Sequence, residues 1–235
     1  SGVLDIATTA SFTTTAANGN LVLDQASDID GAFSIATHGT GTSSVTNLTD
    51  AIELGTVSSA GLTVEADGAI TQSGAASITG DASFTNTDGD NAAISLNNAS
   101  NSFGGSIALA TDSGSAVVLS DTTAIELPSL TAASLTVTSG GAVTDSGTLS
   151  IAGSTSISAS GQDVTLNDVS STFGDLSLVG ANVAVTENGA MNLAAATITG
   201  TATFDPTDDS DETDTVTATI AIINNSFFTE FFIIF

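Results

Sequence analysis

Residues 51–74 read AIELGTVSSAGLTVEADGAITQSG, and residues 124–147 read AIELPSLTAASLTVTSGGAVTDSG. Within each stretch the apolar residues stand two apart: Ile52/Leu54 and Leu62/Val64 in the first, Ile125/Leu127 and Leu135/Val137 in the second. A spacing of i, i+2 puts both side chains on one face of an extended strand. Gly, Ser and Asp clusters separate the pairs and supply turn chemistry. The pattern continues outward through Leu4/Ile6, Leu21/Leu23, Phe33/Ile35, Ile94/Leu96 and Ile107/Leu109, then Leu149/Ile151, Val164/Leu166, Leu176/Leu178 and Val183/Val185. No window carries a sustained helical stripe of i, i+3, i+4. The chain reads as all-β, built of many short strands.

These strands recur at a longer period of about 70 residues. Ala51-Ile52-Glu53-Leu54 returns as Ala124-Ile125-Glu126-Leu127 and again, weaker, as Ala190-Met191-Asn192-Leu193. Gly68-Ala69-Ile70-Thr71-Gln72-Ser73-Gly74 matches Gly141-Ala142-Val143-Thr144-Asp145-Ser146-Gly147, and Phe103-Gly104 matches Phe173-Gly174. A unit this small cannot bury its own apolar face, so neighbouring units must stack to complete a core. The expected fold is a parallel β-helix (β-solenoid) of about ten turns from about three repeats, at roughly 20 residues and about 4.8 Å of rise per turn. Residues 1–204 are expected to form the repeat array, 205–215 an acidic loop, and 216–235 a pair of hydrophobic carboxy-terminal strands.

Composition excludes several classes of function. The 235 residues contain 26 Asp plus Glu, no Lys or Arg, no Cys and a single His, for a net charge of −26. Nucleic-acid binding requires cations to displace counterions, and none exist here. Anionic membrane surfaces repel such a chain, and no apolar run approaches the roughly 20 residues of a membrane-spanning helix. Disulfides and cysteine-ligated zinc are ruled out by the absence of Cys. The start at Ser1, without Met or leader, reads as a mature, processed chain.

The Gly-Ala-Ile-Thr-Gln-Ser-Gly run, the Asn101-Ser102-Phe103-Gly104-Gly105 stretch and the Ala-Ile-Glu-Leu…Leu-Thr-Val unit resemble the repeats of filamentous-haemagglutinin-like large exoproteins, the exported adhesins of two-partner secretion. The resemblance covers about residues 1–204. It implies a right-handed parallel β-helix, an extracellular or cell-surface location, and a shaft-like role in adhesion.

Candidate sites are few. The acidic run holds Asp205, Asp208, Asp209, Asp211 and Asp214, whose hard oxygens could hold Ca²⁺; the alternative is a solvated loop without any cofactor. The spacing of an EF-hand loop is missing, and no Gly-Gly-x-Gly-x-Asp calcium repeat occurs. His38 reads as an exposed loop residue. No recurring pair of carboxylates suggests glycoside hydrolysis, so an enzyme is not expected. Asn97, Asn98, Asn167 and Asp24 follow equivalent strands and are expected at turn corners, where such residues can adopt the left-handed conformation and hydrogen-bond neighbouring turns. Asn47-Leu48-Thr49 and Asn98-Ala99-Ser100 match the glycosylation pattern, as chance allows in a chain rich in Ser and Thr.

The carboxy-terminal segment is bulkier than anything in the repeats. Phe227, Phe228, Phe231, Phe232 and Phe235 crowd into nine residues of high β-propensity and low charge, an aggregation hazard unless covered. The cover is the chain's own solenoid end or another subunit, unless the segment is a trimmed stub of a longer chain. In the second case a homopolymer grows head-to-tail. Its joint combines Leu4 and Ile6 at one end with Ile220, Ile222 and the five phenylalanines at the other. The expected function is thus a secreted structural protein of an extracellular filament or adhesive shaft. The alternative is a monomeric adhesin rod whose loops recognise cell-surface carbohydrate or protein.

Overall fold

A computed structural model describes residues 4–24, 27–87 and 91–207, together with the backbone of 216–222. Among these residues there is no helix, and the strands pair in parallel register. The fold is a β-solenoid of about ten turns. Contacts divide it into two compact units: residues 1–123 with 131–133, and residues 124–130 with 134–235.

The first unit has three strand columns. In one, Asp5–Ile6 pairs with Asp28–Ile29, while the front of Ile52–Ser59 pairs with Ile70–Gln72, which is followed by Ile94–Leu96 and Ala116–Asp121. The second runs through Ala10–Thr13, Phe33–Ala36, the back of Ile52–Ser59, Ala76–Ile78 and Ser102–Phe103. Leu21–Leu23, Thr42–Asn47, Gly61–Ala66, Ala82–Asn86 and Ile107–Ala110 form the third. A coil visits the three columns in turn and then climbs to the next level.

The second unit repeats this plan. One column stacks Ile125–Leu127, Val143–Asp145, Val164–Leu166, Val183–Asn188 and Ala202–Thr207. Another stacks Ser134–Ser139, Thr155–Ser158, Asp175–Gly180, Met191–Ile198 and Val216–Ile222. A short middle column is marked by the Leu130 N–H bonding Thr148 O at 3.0 Å and by the Ser150–Thr172 bridge.

Because side chains alternate across a strand, alternate residues of successive coils fall into inward rows. Ile52, Ile70, Ile94 and Val117 share one row, and Val45, Val64, Phe84 and Leu109 another. All eight are buried. In the second unit the corresponding row is Ile125, Val143, Val164 and Val183. Each such side chain contributes roughly 1.5–3 kcal/mol on leaving water. Edge-to-face pairs add to this, with Phe12–Phe33 and Phe84–Phe103 ring centroids both 6.1 Å apart.

The array does not stop at 204. Asp205, Pro206 and Thr207 belong to the strand Ala202–Thr207, with Asp205 opposite Thr186, and the backbone of 216–222 adds a further strand beside Met191–Ile198. The acidic loop expected over 205–215 therefore begins no earlier than residue 208. Its remaining positions lie outside the described residues.

Candidate functional site

The internally matched Phe-Gly turns are held by side-chain hydrogen bonds in each unit. Gly104 and Gly174 are required by closeness between coils: a Cβ on Gly104 would lie 2.6 Å from Thr79 O, and one on Gly174 would run into Gly153 O. Two residues before each phenylalanine sits a fully buried polar side chain. Asn101 Oδ1 accepts Ala76 N–H at 2.9 Å, and Ser171 Oγ accepts Leu149 N–H at 3.0 Å. The matched Gln72 and Asp145 reach to the following coil in the same way. Gln72 Oε1 accepts Asn98 N–H at 3.1 Å, and Asp145 accepts Asn167 and Asp168 N–H at 2.9 and 3.0 Å.

Both phenylalanine N–H groups are then capped by a buried carboxylate from further along the chain. Asp121 Oδ2 accepts Phe103 N–H at 3.2 Å, and its Oδ1 accepts the N–H and hydroxyl of Thr123 at 2.9 and 3.0 Å. Glu187 Oε1 accepts Phe173 N–H at 2.7 Å, but its Oε2 is buried without a partner. Burial raises the Glu187 pKa to about 7, against the opposing pull of the Phe173 N–H. Neither cap shows in a comparison of the two sequence blocks, because one is Asp and the other Glu at a different distance from its turn.

The expected left-handed corners lie elsewhere. Among the described non-glycine residues, Asn18 and Asn91 have φ of 60° and 64°; Asn97, Asn98, Asn167 and Asp24 do not adopt positive φ. Asn98 instead accepts Ser100 N–H on its own Oδ1 at 3.0 Å, and Asp168 does the same for Ser170 at 2.9 Å. A side-chain cap of this kind satisfies the turn without left-handed backbone. Asn47 is fully buried and donates to Ala51 O at 3.0 Å, so its amide is engaged inside the corner. His38 is exposed, as read from the sequence.

At the amino-terminal side of the first unit, Ile6, Phe12, Leu21 and Leu23 are only half-buried. The residues registered beside them, Ile29, Ile35, Ser43 and Val45, are 0–3% exposed. The first described coil therefore presents the core on one side. Leu4 is half-buried too, its carbonyl accepting Asp28 N–H at 2.8 Å.

At the far side of the second unit, Phe204 is half-buried over the buried Val185. The strand Val216–Ile222 pairs Ile220 with Ala196 and Ile222 with Ile198 of its own chain, and it ends its sheet among the described residues. Phe227, Phe228, Phe231, Phe232 and Phe235 lie outside the described residues, as do Asp208, Asp209, Asp211 and Asp214. Asp205 is exposed. No cluster of three or more His, Cys, Asp or Glu that could hold a metal occurs among the described residues.

A family described as Repeats of unknown function (DUF5649) matches residues 40–110 and 114–179, more than half of the chain. The chain belongs to this family. Each DUF5649 match contains one Phe-Gly turn with its buried polar residue, Asn101 in the first and Ser171 in the second. The carboxylates that cap them, Asp121 and Glu187, lie beyond Phe103 and Phe173 by 18 and 14 residues. No curated protein and no solved structure matches the chain.

Proposed function

We propose that the chain is a secreted structural protein, a subunit of an extracellular filament or of a cell-surface adhesive shaft, that assembles head-to-tail with copies of itself. The observation that carries this reading is the half-exposed apolar rank of Ile6, Phe12, Leu21 and Leu23, beside a strand edge that has no partner among the described residues. Exposed edges and uncovered core at a solenoid end invite a further coil. The strand Val216–Ile222 ends its sheet among the described residues, and the phenylalanine-rich segment follows it in sequence. A second copy laid on that edge continues both the backbone ladder and the inward rows. The resemblance to haemagglutinin-like exoprotein repeats supports the extracellular setting. A chain without Lys or Arg, whose one histidine is exposed, suits a non-catalytic role and no nucleic-acid partner.

The test compares the full chain with one ending at Ile222, which keeps the strand that pairs within its own unit. Sedimentation and electron microscopy should show filaments for the first and monomers for the second, with equal far-ultraviolet dichroism. Polymers of the shorter chain, or a full chain that stays monomeric at high concentration, overturn the head-to-tail joint.

The second reading, a monomeric adhesin-type rod, is favoured by an open groove of about 430 Å³ on the first unit. Its walls include Thr9, Ser11, Ser34, Thr56 and Ser73, hydroxyls suited to a carbohydrate. Glycan-array binding by monomers, lost when Ser34 is enlarged, would select that reading.

A further inference from the structure

Three buried oxygens without partners fall within one turn of the first unit. Thr111 Oγ1, Asp112 Oδ2 and Ser115 Oγ are shut off from solvent and make no hydrogen bond, and Ser115 is 0% exposed. The turn joins the strands Ile107–Ala110 and Ala116–Asp121 and is closed by Ser115 N–H donating to Asp112 O at 3.0 Å. Buried polar atoms are ordinarily satisfied, so three orphans within five residues require an explanation.

Lower coils show what this corner takes. Asn47 and Asn86 both register with Ala66, and Thr85 registers with Ala110, so the next step places Thr111 in line with Asn86. Asn47 Nδ2 donates across its corner to Ala51 O at 3.0 Å. Asn86 Nδ2 donates to Ala92 O at 3.1 Å and to Gly68 O at 3.0 Å. In each case a positively polarised amide NH₂ fills the corner. Thr111 is shorter and has no amide, while Asp112 adds a buried carboxylate oxygen. What is missing is electropositive, and the chain has no Lys or Arg to supply it.

We infer that this corner binds a small hard cation, held by Asp112 Oδ2, Thr111 Oγ1 and Ser115 Oγ, with water completing its shell. Oxygen donors of this kind suit Ca²⁺, and one carboxylate with two hydroxyls suits the weak range of about 10⁻⁴–10⁻³ M. A water molecule could satisfy the hydroxyls, but it would leave a buried anionic oxygen without counter-charge. The net charge of −26 raises the local concentration of any cation. The ligands of this corner are not those of the acidic run that follows residue 207 in sequence.

Hydrogen exchange at the Ser115 amide tests the assignment on the full, calcium-stripped chain. The comparison is 5 mM CaCl₂ against tetramethylammonium chloride at equal ionic strength, an ion too large for the corner. At roughly ten times the dissociation constant, Ca²⁺ should slow Ser115 exchange about tenfold. Asp112→Asn should abolish that response. Thr111→Asn, which restores the amide of the lower coils, should give protection independent of calcium. No slowing in the unaltered chain, or a response of equal size in Asp112→Asn or Thr111→Asn, overturns the cation and leaves the corner to water only.

Discussion

Glu187→Gln should stabilise the protein at alkaline pH and leave it unchanged at acidic pH. The carboxyl is 2% exposed, its Oε1 accepts Phe173 N–H, and its Oε2 has no partner. Burial lifts the folded pKa to about 7 from 4.5. The folded state thus holds this proton more tightly than the unfolded chain does. Its contribution to stability is full below pH 4.5, falls as pH rises from 4.5 to 7, and is lost above 7. A gap of about 2.5 units corresponds to about 3 kcal/mol.

Gln keeps an oxygen for Phe173 and carries no charge, so it mimics the protonated acid. The nearby carboxylates do not confuse the comparison. Asp168 is committed to Ser170 N–H and to the Thr148 hydroxyl, and Asp205 is exposed opposite Thr186. Thermal melts of both proteins at fixed ionic strength should coincide near pH 4. Near pH 8.5 they should separate by roughly 6–12 °C, with Gln the more stable, if the whole chain melts as one. A difference that is constant with pH, or a Gln variant less stable at pH 8.5, would refute the assignment of the raised pKa to this carboxyl.

Thr155 stands in an inward row between Leu135 and Leu176, fully buried, with its hydroxyl unpartnered; Thr155→Val should raise stability by about 1 kcal/mol in denaturant titration. Gly104→Ala forces a Cβ to 2.6 Å from Thr79 O, so it should lower stability by about 2 kcal/mol or more, whereas Gly161→Ala, with open space around it but φ of +75°, should cost only about 1 kcal/mol. Twenty-six carboxylates without a single Lys or Arg repel one another, so the melting temperature should climb as NaCl rises from about 10 mM to about 0.5 M. A flat salt profile would mean that bound cations already neutralise the chain.

The i, i+2 pairs made the strands and their inward rows legible, because alternation across a strand is a property of the local chain. Ile52/Leu54 and Ile125/Leu127 are buried as that spacing requires. The matched Gly-Ala-Ile-Thr-Gln-Ser-Gly and Phe-Gly blocks likewise pointed to equivalent turns. Their capping groups were not legible. Asp121 and Glu187 reach their phenylalanines from the following coil, 18 and 14 residues away, and an unaligned acidic residue looks like any other surface charge. Which asparagines take left-handed backbone was not legible for a related reason. A side-chain oxygen that caps the residue two ahead removes the need for positive φ, and composition does not distinguish the two solutions. Asp205 was grouped with the acidic run by charge, whereas the ladder to Thr186 takes it into a strand.

Among the described residues, strand partners in register stand between 17 apart, as in Asp175 and Asn192, and 25 apart, as in Ile78 and Phe103. No pairing among the described residues waits for a distant part of the chain. Loop closure of this length costs nearly the same at each level, since the entropy grows only with the logarithm of length. Each coil can therefore settle once about 25 residues beyond its predecessor have become available, using the finished coil as its template. Folding can advance from either end as a moving front. The free-energy barrier is then concentrated in the first pair of coils, and further coils are added without lengthening the search.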